Sequence, residues 1–255
     1  MLWSKSGAAL AILAVVALCC ARSEVSKTNM LQAQIPEASL SPTPAQLATP
    51  SAEGQKRTAD FFVMIDPSHG GADKGAIFGT KLLEKDITLR LARELRKELE
   101  ERGISSRLLR ESDIDLSLDR RAEITNEQRA SLYVAFHAGR PGKGVRVYFP
   151  VLTDAQQPLA GRFLPWESAQ SGSLSRSQNL ARAVSEELKK KGLAVANLGV
   201  PLRPLNNIVA PAIAVELAPE QDDLQSLENQ KRQNSVATAI ALGIVQARSQ
   251  IGVRQ

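Results

Sequence analysis

At 255 residues, with 43% hydrophobic and 23% charged side chains, the chain has material for one or two domains and is too apolar to be wholly disordered. Its formal charge of +5 is accompanied by only 4% aromatic residues, with no interleaving of basic and aromatic side chains, which argues against a nucleic-acid surface. The basic balance suits a solvated surface or attraction to an anionic envelope polymer.

Lys5 precedes an uninterrupted stretch of small apolar residues over 7–21, and Arg22 and Ser23 open a polar segment. A positive start followed by about 15 apolar residues predicts a secretory signal over 1–22. The stretch falls short of the roughly 20 residues of a spanning helix, and an uncleaved N-terminal membrane anchor is the alternative. Cys19 and Cys20, the two cysteines of the chain, both lie inside it. A mature chain would then carry no disulfide, thiol nucleophile or thiolate metal site. Loss of Lys5 and Arg22 with the signal lowers the formal charge to about +3. Residues 23–58 are rich in Ser, Ala, Gln and Thr, with Pro36, Pro42, Pro44 and Pro50 spaced through them. They predict a flexible tether ahead of a catalytic domain over 59–255, exported to the periplasm or cell envelope.

A buried strand is predicted over 61–65. An amphipathic helix follows over 86–102, with Ile87, Leu91, Leu95 and Leu99 on one face and Gly103 as its stop. Residues 104–109 read as a strand, 117–128 as a helix, and 132–136 and 145–149 as strands. A helix over 178–191 closes at Gly192, a strand occupies 212–217, and a last helix runs over 227–247. This alternation predicts an α/β fold around a largely parallel sheet.

Only two histidines occur, each at the end of a predicted strand. His69 lies in Asp66-Pro67-Ser68-His69-Gly70-Gly71, and His137 in Phe136-His137-Ala138-Gly139. Ligands of open α/β sheets bind beyond the carboxyl ends of the strands. Glu216, inside Ala214-Val215-Glu216-Leu217, occupies a third such end, and Glu84 stands just before the first helix. Two histidines and one carboxylate with an open position make a catalytic zinc set. A further carboxylate beside it would act as general base. Gly70 and Gly71 would let the backbone pass close to metal and substrate. Each residue also has a plainer reading. His69 suits a Gly-rich turn, His137 a hydrogen-bonded core position, and Glu84 a helix N-terminus favoured by the dipole. Glu216, in an apolar strand, either faces a site or pairs with an arginine that the sequence does not reveal.

Together, the run from Asp66 to Ala76, Glu84-Lys85-Asp86, Phe136-His137-Ala138 and Val215-Glu216-Leu217 resembles the zinc-dependent N-acetylmuramoyl-L-alanine amidases, over roughly residues 61–244. Arg110, Asp113, Leu118, Arg121 and Asn126 also match that family's pattern. The resemblance implies a twisted mixed, largely parallel sheet flanked by helices, of the phosphorylase/hydrolase-like kind. It implies His69, Glu84 and His137 as Zn2+ ligands and Glu216 as the catalytic glutamate. The implied substrate is peptidoglycan, cut between N-acetylmuramic acid and L-alanine of the stem peptide, and a protein activator is a further implied partner. Three positions depart from the pattern. Ser68 replaces a usual Gly and would restrict the loop before His69, Gly139 replaces a common Asn, and Ala218-Pro219 replaces Gly-Phe. Two other readings stay open, a zinc peptidase or amidase acting on another envelope amide and a catalytically decayed wall-binding protein. Residues 151–177, a polar insertion around Phe163-Leu164-Pro165-Trp166-Glu167, read as a surface excursion or as a lid over the metal.

Overall fold

A computed structural model of the chain describes residues 61–140, 144–153, 165–221 and 223–251. The expectations for a signal over 1–22 and a tether over 23–58 lie outside them. Strand β1 (Phe62–Pro67) is followed by a short antiparallel hairpin, β2 (Ile77–Phe78) and β3 (Leu82–Leu83), and then by α1 (Glu84–Glu100). Strand β4 (Ser105–Leu108), helix α2 (Leu118–Glu127) and strands β5 (Leu132–Ala138) and β6 (Val145–Pro150) come next. Helix α3 (Leu174–Lys190), strand β7 (Val195–Val200), strand β8 (Ala212–Leu217) and helix α4 (Gln230–Ile251) complete the described residues. Short 3-10 turns at Trp166–Gly172, Leu205–Asn207 and Leu224–Glu228 punctuate the second half. Among the described residues, no helix is long and apolar enough to cross a membrane.

Among the described residues, six strands form one sheet in the order β4-β1-β5-β8-β6-β7. The first four run parallel, β6 runs antiparallel to β8, and β7 pairs parallel with β6. The expected mixed, largely parallel sheet is therefore present. Strands buried on both faces read as near-continuous apolar runs, and β1, β5 and β8 do so. On β5, Leu132, Val134 and Phe136 join the core beneath α1, α3 and α4, whereas Tyr133 and Ala135 join a second core with Ala122 of α2, Leu205 and Ile208. Each large apolar side chain buried this way contributes about 1.5–3 kcal/mol.

Differences from the sequence-based expectations are local. Helix α1 begins at Glu84, two residues before the predicted start. Its first N–H groups have no side-chain cap, and the carbonyls of Ala76 and Lys74 accept from Glu84 and Lys85 instead, satisfying donors that a helix start leaves open. The last helix starts at Gln230, because residues from Leu224 to Glu228 form a 3-10 turn that buries Leu227. Strand β7 was not predicted. It is an edge strand exposed along most of its length, so Val195-Ala196-Asn197-Leu198-Gly199-Val200 lacks a buried period.

The direction of β6 also bears on residues 151–177, read as a surface excursion or as a lid. Because β6 opposes β8, its last residue, Pro150, lies at the sheet edge away from the carboxyl ends of β1, β5 and β8. Within the later part of the insertion, the Gln170 side-chain amide donates to the carbonyls of Ile208 and Ala210, and the Ser173 hydroxyl donates to that of Val209 (2.6, 2.6 and 2.7 Å). These carbonyls precede β8, so both described ends of the segment are tied to the edge opposite the histidines. Trp166 sits in this local packing, its carbonyl accepting from the Asn207 amide. The described ends have the packing of a surface excursion; the lid reading falls on residues 154–164, which lie outside the described residues.

Candidate metal centre

The loop after β1 is held from below by two arginines that are only 2% exposed. Arg110 donates from Nε to the Pro67 carbonyl (2.8 Å) and from Nη2 to that of Lys85 (2.7 Å). Arg121 donates from Nη2 to the His69 carbonyl (2.9 Å) and pairs through Nη1 with the fully buried Asp66. Asp66 also accepts from the buried Tyr133 hydroxyl. These bonds over-determine a backbone in which His69 itself is left-handed, with φ 64°, a conformation that costs an L-residue roughly 1–2 kcal/mol.

That backbone delivers three donor atoms to one place. One ligand atom from each of His69, Glu84 and His137 lies within 4.8 Å of the others. Oε1 of Glu84 is 3.2 Å from His69 Nε2 and 3.0 Å from His137 Nδ1, and the two imidazoles meet edge to face at 82°. The far nitrogen of each ring has its own partner. His69 Nδ1 donates to Asp73 (2.8 Å), and His137 Nε2 lies 3.0 Å from the Ser68 hydroxyl. Such outer partners fix ring orientation and tautomer at metal sites. Oε2 of Glu84 accepts from the Ala76 N–H (2.8 Å), and Oε1 also accepts from the Ala138 N–H (3.1 Å). Burial opposes ionisation of Glu84, yet the hydrogen bonds from His137, His69 and Ala76 outweigh it and hold the carboxyl far below its ordinary range. Burial likewise disfavours charge on His69, but Glu84 and then Asp73 raise it above its usual value. Two imidazole nitrogens and one fixed carboxylate oxygen fit a divalent ion such as zinc.

Glu216 stands beside this cluster because β5 and β8 are parallel neighbours with His137 in register with Glu216. The arginine that its sequence context left unidentified is Arg146, its register partner on β6. Arg146 donates from Nη2 to Oε1 (2.6 Å) and from Nε to Oε2 (2.8 Å), and the Tyr148 hydroxyl donates to Oε2 (2.5 Å). Burial raises the Glu216 carboxyl, but these bonds bring it below the ordinary carboxylate value.

The glycines of the His69 loop serve a different neighbour from the one expected. A Cβ on Gly70 would meet the Ile114 carbonyl at 2.2 Å, so this glycine admits the chain after β4 rather than a metal or substrate. Gly75 is the one against the cluster. There a Cβ would lie 2.7 Å from both Glu84 Oε2 and His69 Cδ2, at a φ of 63°.

Comparison with known proteins identifies the family of the chain. The family profile described as N-acetylmuramoyl-L-alanine amidase matches residues 63–246; the chain belongs to that family. It is 28% identical over 207 residues to the germination-specific N-acetylmuramoyl-L-alanine amidase of Bacillus subtilis, covering 72% of this chain and 78% of that protein. Similarity to N-acetylmuramoyl-L-alanine amidase AmiC of Neisseria meningitidis is 29% over 247 residues, covering 82% and 57%. With AmiC of Escherichia coli identity reaches 36% over 109 residues, and the match spans 24% of that protein's length. Among solved structures, the amidase AmiC2 of Nostoc punctiforme superposes with a TM-score of 0.58 at 26% identity, covering 74% of this chain and 97% of the other.

All four residues singled out in the sequence therefore meet at one sheet edge. Ser68, Asp73, Gly75, Arg146 and Tyr148 form the surroundings that sequence reasoning did not assign. The alternation Val145-Arg146-Val147-Tyr148 was the available signal, since it sets two polar side chains on one face of a strand.

Proposed function

We propose that the protein is a zinc-dependent peptidoglycan hydrolase that cleaves the amide between N-acetylmuramic acid and L-alanine of the stem peptide. The observation that carries this reading is the His69-Glu84-His137 donor cluster, with His137 in register with Glu216, in a chain of the amidase family. His69, through Nε2, Glu84, through Oε1, and His137, through Nδ1, would hold the ion. When bound, zinc supplies Lewis acidity toward the amide carbonyl and lowers the pKa of water toward ~7.

The chain's own groups supply the rest. Asp73 and Ser68 aim the two imidazoles, and the Ala76 and Ala138 amides keep Glu84 from turning away. Glu216 accepts a proton as water attacks the carbonyl carbon and returns it to the departing nitrogen, so that the C–O bond forms, the C–N bond breaks and a free L-alanine amine leaves. Export through residues 1–22, whether by a cleaved signal or as an anchor, a tether over 23–58, an envelope location and a protein activator belong to the same proposal.

Zinc content by elemental analysis, paired with mass spectrometry of purified peptidoglycan digests, tests it. One equivalent of zinc and release of stem peptides with a free L-alanine terminus are expected. Products cut at another amide would assign a related zinc peptidase, and zinc binding without hydrolysis a decayed wall-binding protein. Glu216→Gln should keep zinc and lose most turnover, whereas His69→Ala should lose both.

A further inference from the structure

Both carboxylate oxygens of Glu216 are held by side chains of β6. Arg146 faces it across the antiparallel β6–β8 pair, and its guanidinium meets both carboxylate oxygens, at 2.6 Å on Oε1 and 2.8 Å on Oε2. The Tyr148 hydroxyl takes Oε2 at 2.5 Å and itself accepts from Arg146 Nε at 3.0 Å. The side chains of Arg146 and Glu216 are 12% and 15% exposed, too shielded for a loose surface pair. From the β5 side, Gly139 presents bare backbone. A Cβ there would sit 1.7 Å from Glu216 Oε1 and 2.8 Å from its carboxyl carbon. The carboxylate thus occupies space that any other residue at 139 would fill.

Resting on the role proposed for Glu216, we propose that Arg146 is a positioning residue for the hydrolysis: its guanidinium fork, backed by Tyr148 and given room by Gly139, fixes the Glu216 carboxylate in one orientation beside His137. Charge alone does not meet this requirement. A guanidinium presents two parallel donors in a rigid plane, whereas a lysine ammonium is a point charge on a flexible stem. A carboxylate held by one contact can rotate about its last bonds, and small misplacements of a proton-transfer group are costly in rate.

The test uses the full chain loaded with zinc and a soluble muramoyl peptide as substrate. Arg146→Lys keeps the positive charge and removes the fork. It should retain zinc and KM and lower kcat roughly 10- to 100-fold. Arg146→Ala should fall as far and regain part of its kcat with added ethylguanidinium but not with ethylammonium. Gly139→Ala, which leaves the guanidinium in place, should lower kcat in the same way and carries the test should the Arg146 variants fail to fold. Wild-type kcat in Arg146→Lys and Gly139→Ala, or a loss that follows zinc content or KM instead of kcat, overturns the proposal. Glu216→Gln runs in parallel. If it is inactive while Arg146→Lys is unimpaired, only the positioning role falls. If it is fully active, the catalytic reading of Glu216 falls, and this proposal with it.

Discussion

The Ser68 hydroxyl, on the loop after β1, and Nε2 of His137, on β5, are 3.0 Å apart, brought together by the parallel pairing of the two strands. The sequence suggested only that a serine would restrict the loop before His69. The structure gives it a partner on the other histidine, leaving Nδ1 of that ring turned toward Glu84. Removing such an outer contact usually weakens metal binding about 10- to 100-fold. Ser68→Ala should therefore release zinc more readily to a competing chelator by about 10-fold, with the thermal unfolding of the metal-free protein nearly unchanged.

Gly75 is predicted to be as exacting as a ligand. Its φ of 63° is unfavourable for any residue with a Cβ, and that atom would press on Glu84 and His69 at 2.7 Å. Gly75→Ala should cost about 1–2 kcal/mol of stability from backbone conformation alone and, in addition, reduce zinc stoichiometry, measured by elemental analysis after dialysis.

The pair of Asp66 and Arg121 is buried at 0% and 2% exposure beneath the His69 loop. Breaking a buried pair from one side leaves an uncompensated charge and costs about 3–5 kcal/mol. Arg121→Ala should show this loss in urea unfolding and should also free the His69 carbonyl that the arginine holds.

Tyr133 gives an alkaline signature. Burial, with the Asp66 charge and hydrogen bond, holds its hydroxyl well above the ordinary 10.0. Above that pH the unfolded chain loses a proton that the native protein keeps, so this contribution to stability is complete below pH 10 and declines as pH rises. The slope approaches about 1.4 kcal/mol per pH unit for one proton. Tyr133→Phe, although less stable near neutrality for want of the bond to Asp66, should lose stability less steeply between pH 10 and 11 in denaturant titrations.

Much of the site was legible because its residues are rare in their settings. Two histidines at two strand ends, and a glutamate inside Ala-Val-Glu-Leu, stand out against apolar neighbours, and the parallel strands carry them to one edge. Arg146 was not legible because a period of two tells which face a side chain occupies but not which way the strand runs. Only the antiparallel pairing with β8 sets it against Glu216. The purpose of Gly70 was misread for a similar reason, since the Ile114 carbonyl that needs its space lies more than forty residues away. Strand β7 escaped notice because an exposed edge strand carries no burial pattern.

The reversal of β6 separates two kinds of freedom in this chain. Its first residues join the rim where chemistry is concentrated, so His137, Gly139 and Arg146 are bound to tight stereochemistry. Its last residues emerge at the far margin, and there the protein has a port for elaboration. A fusion introduced beside the exposed Thr153 would sit at that distant border, on the side turned away from the histidines.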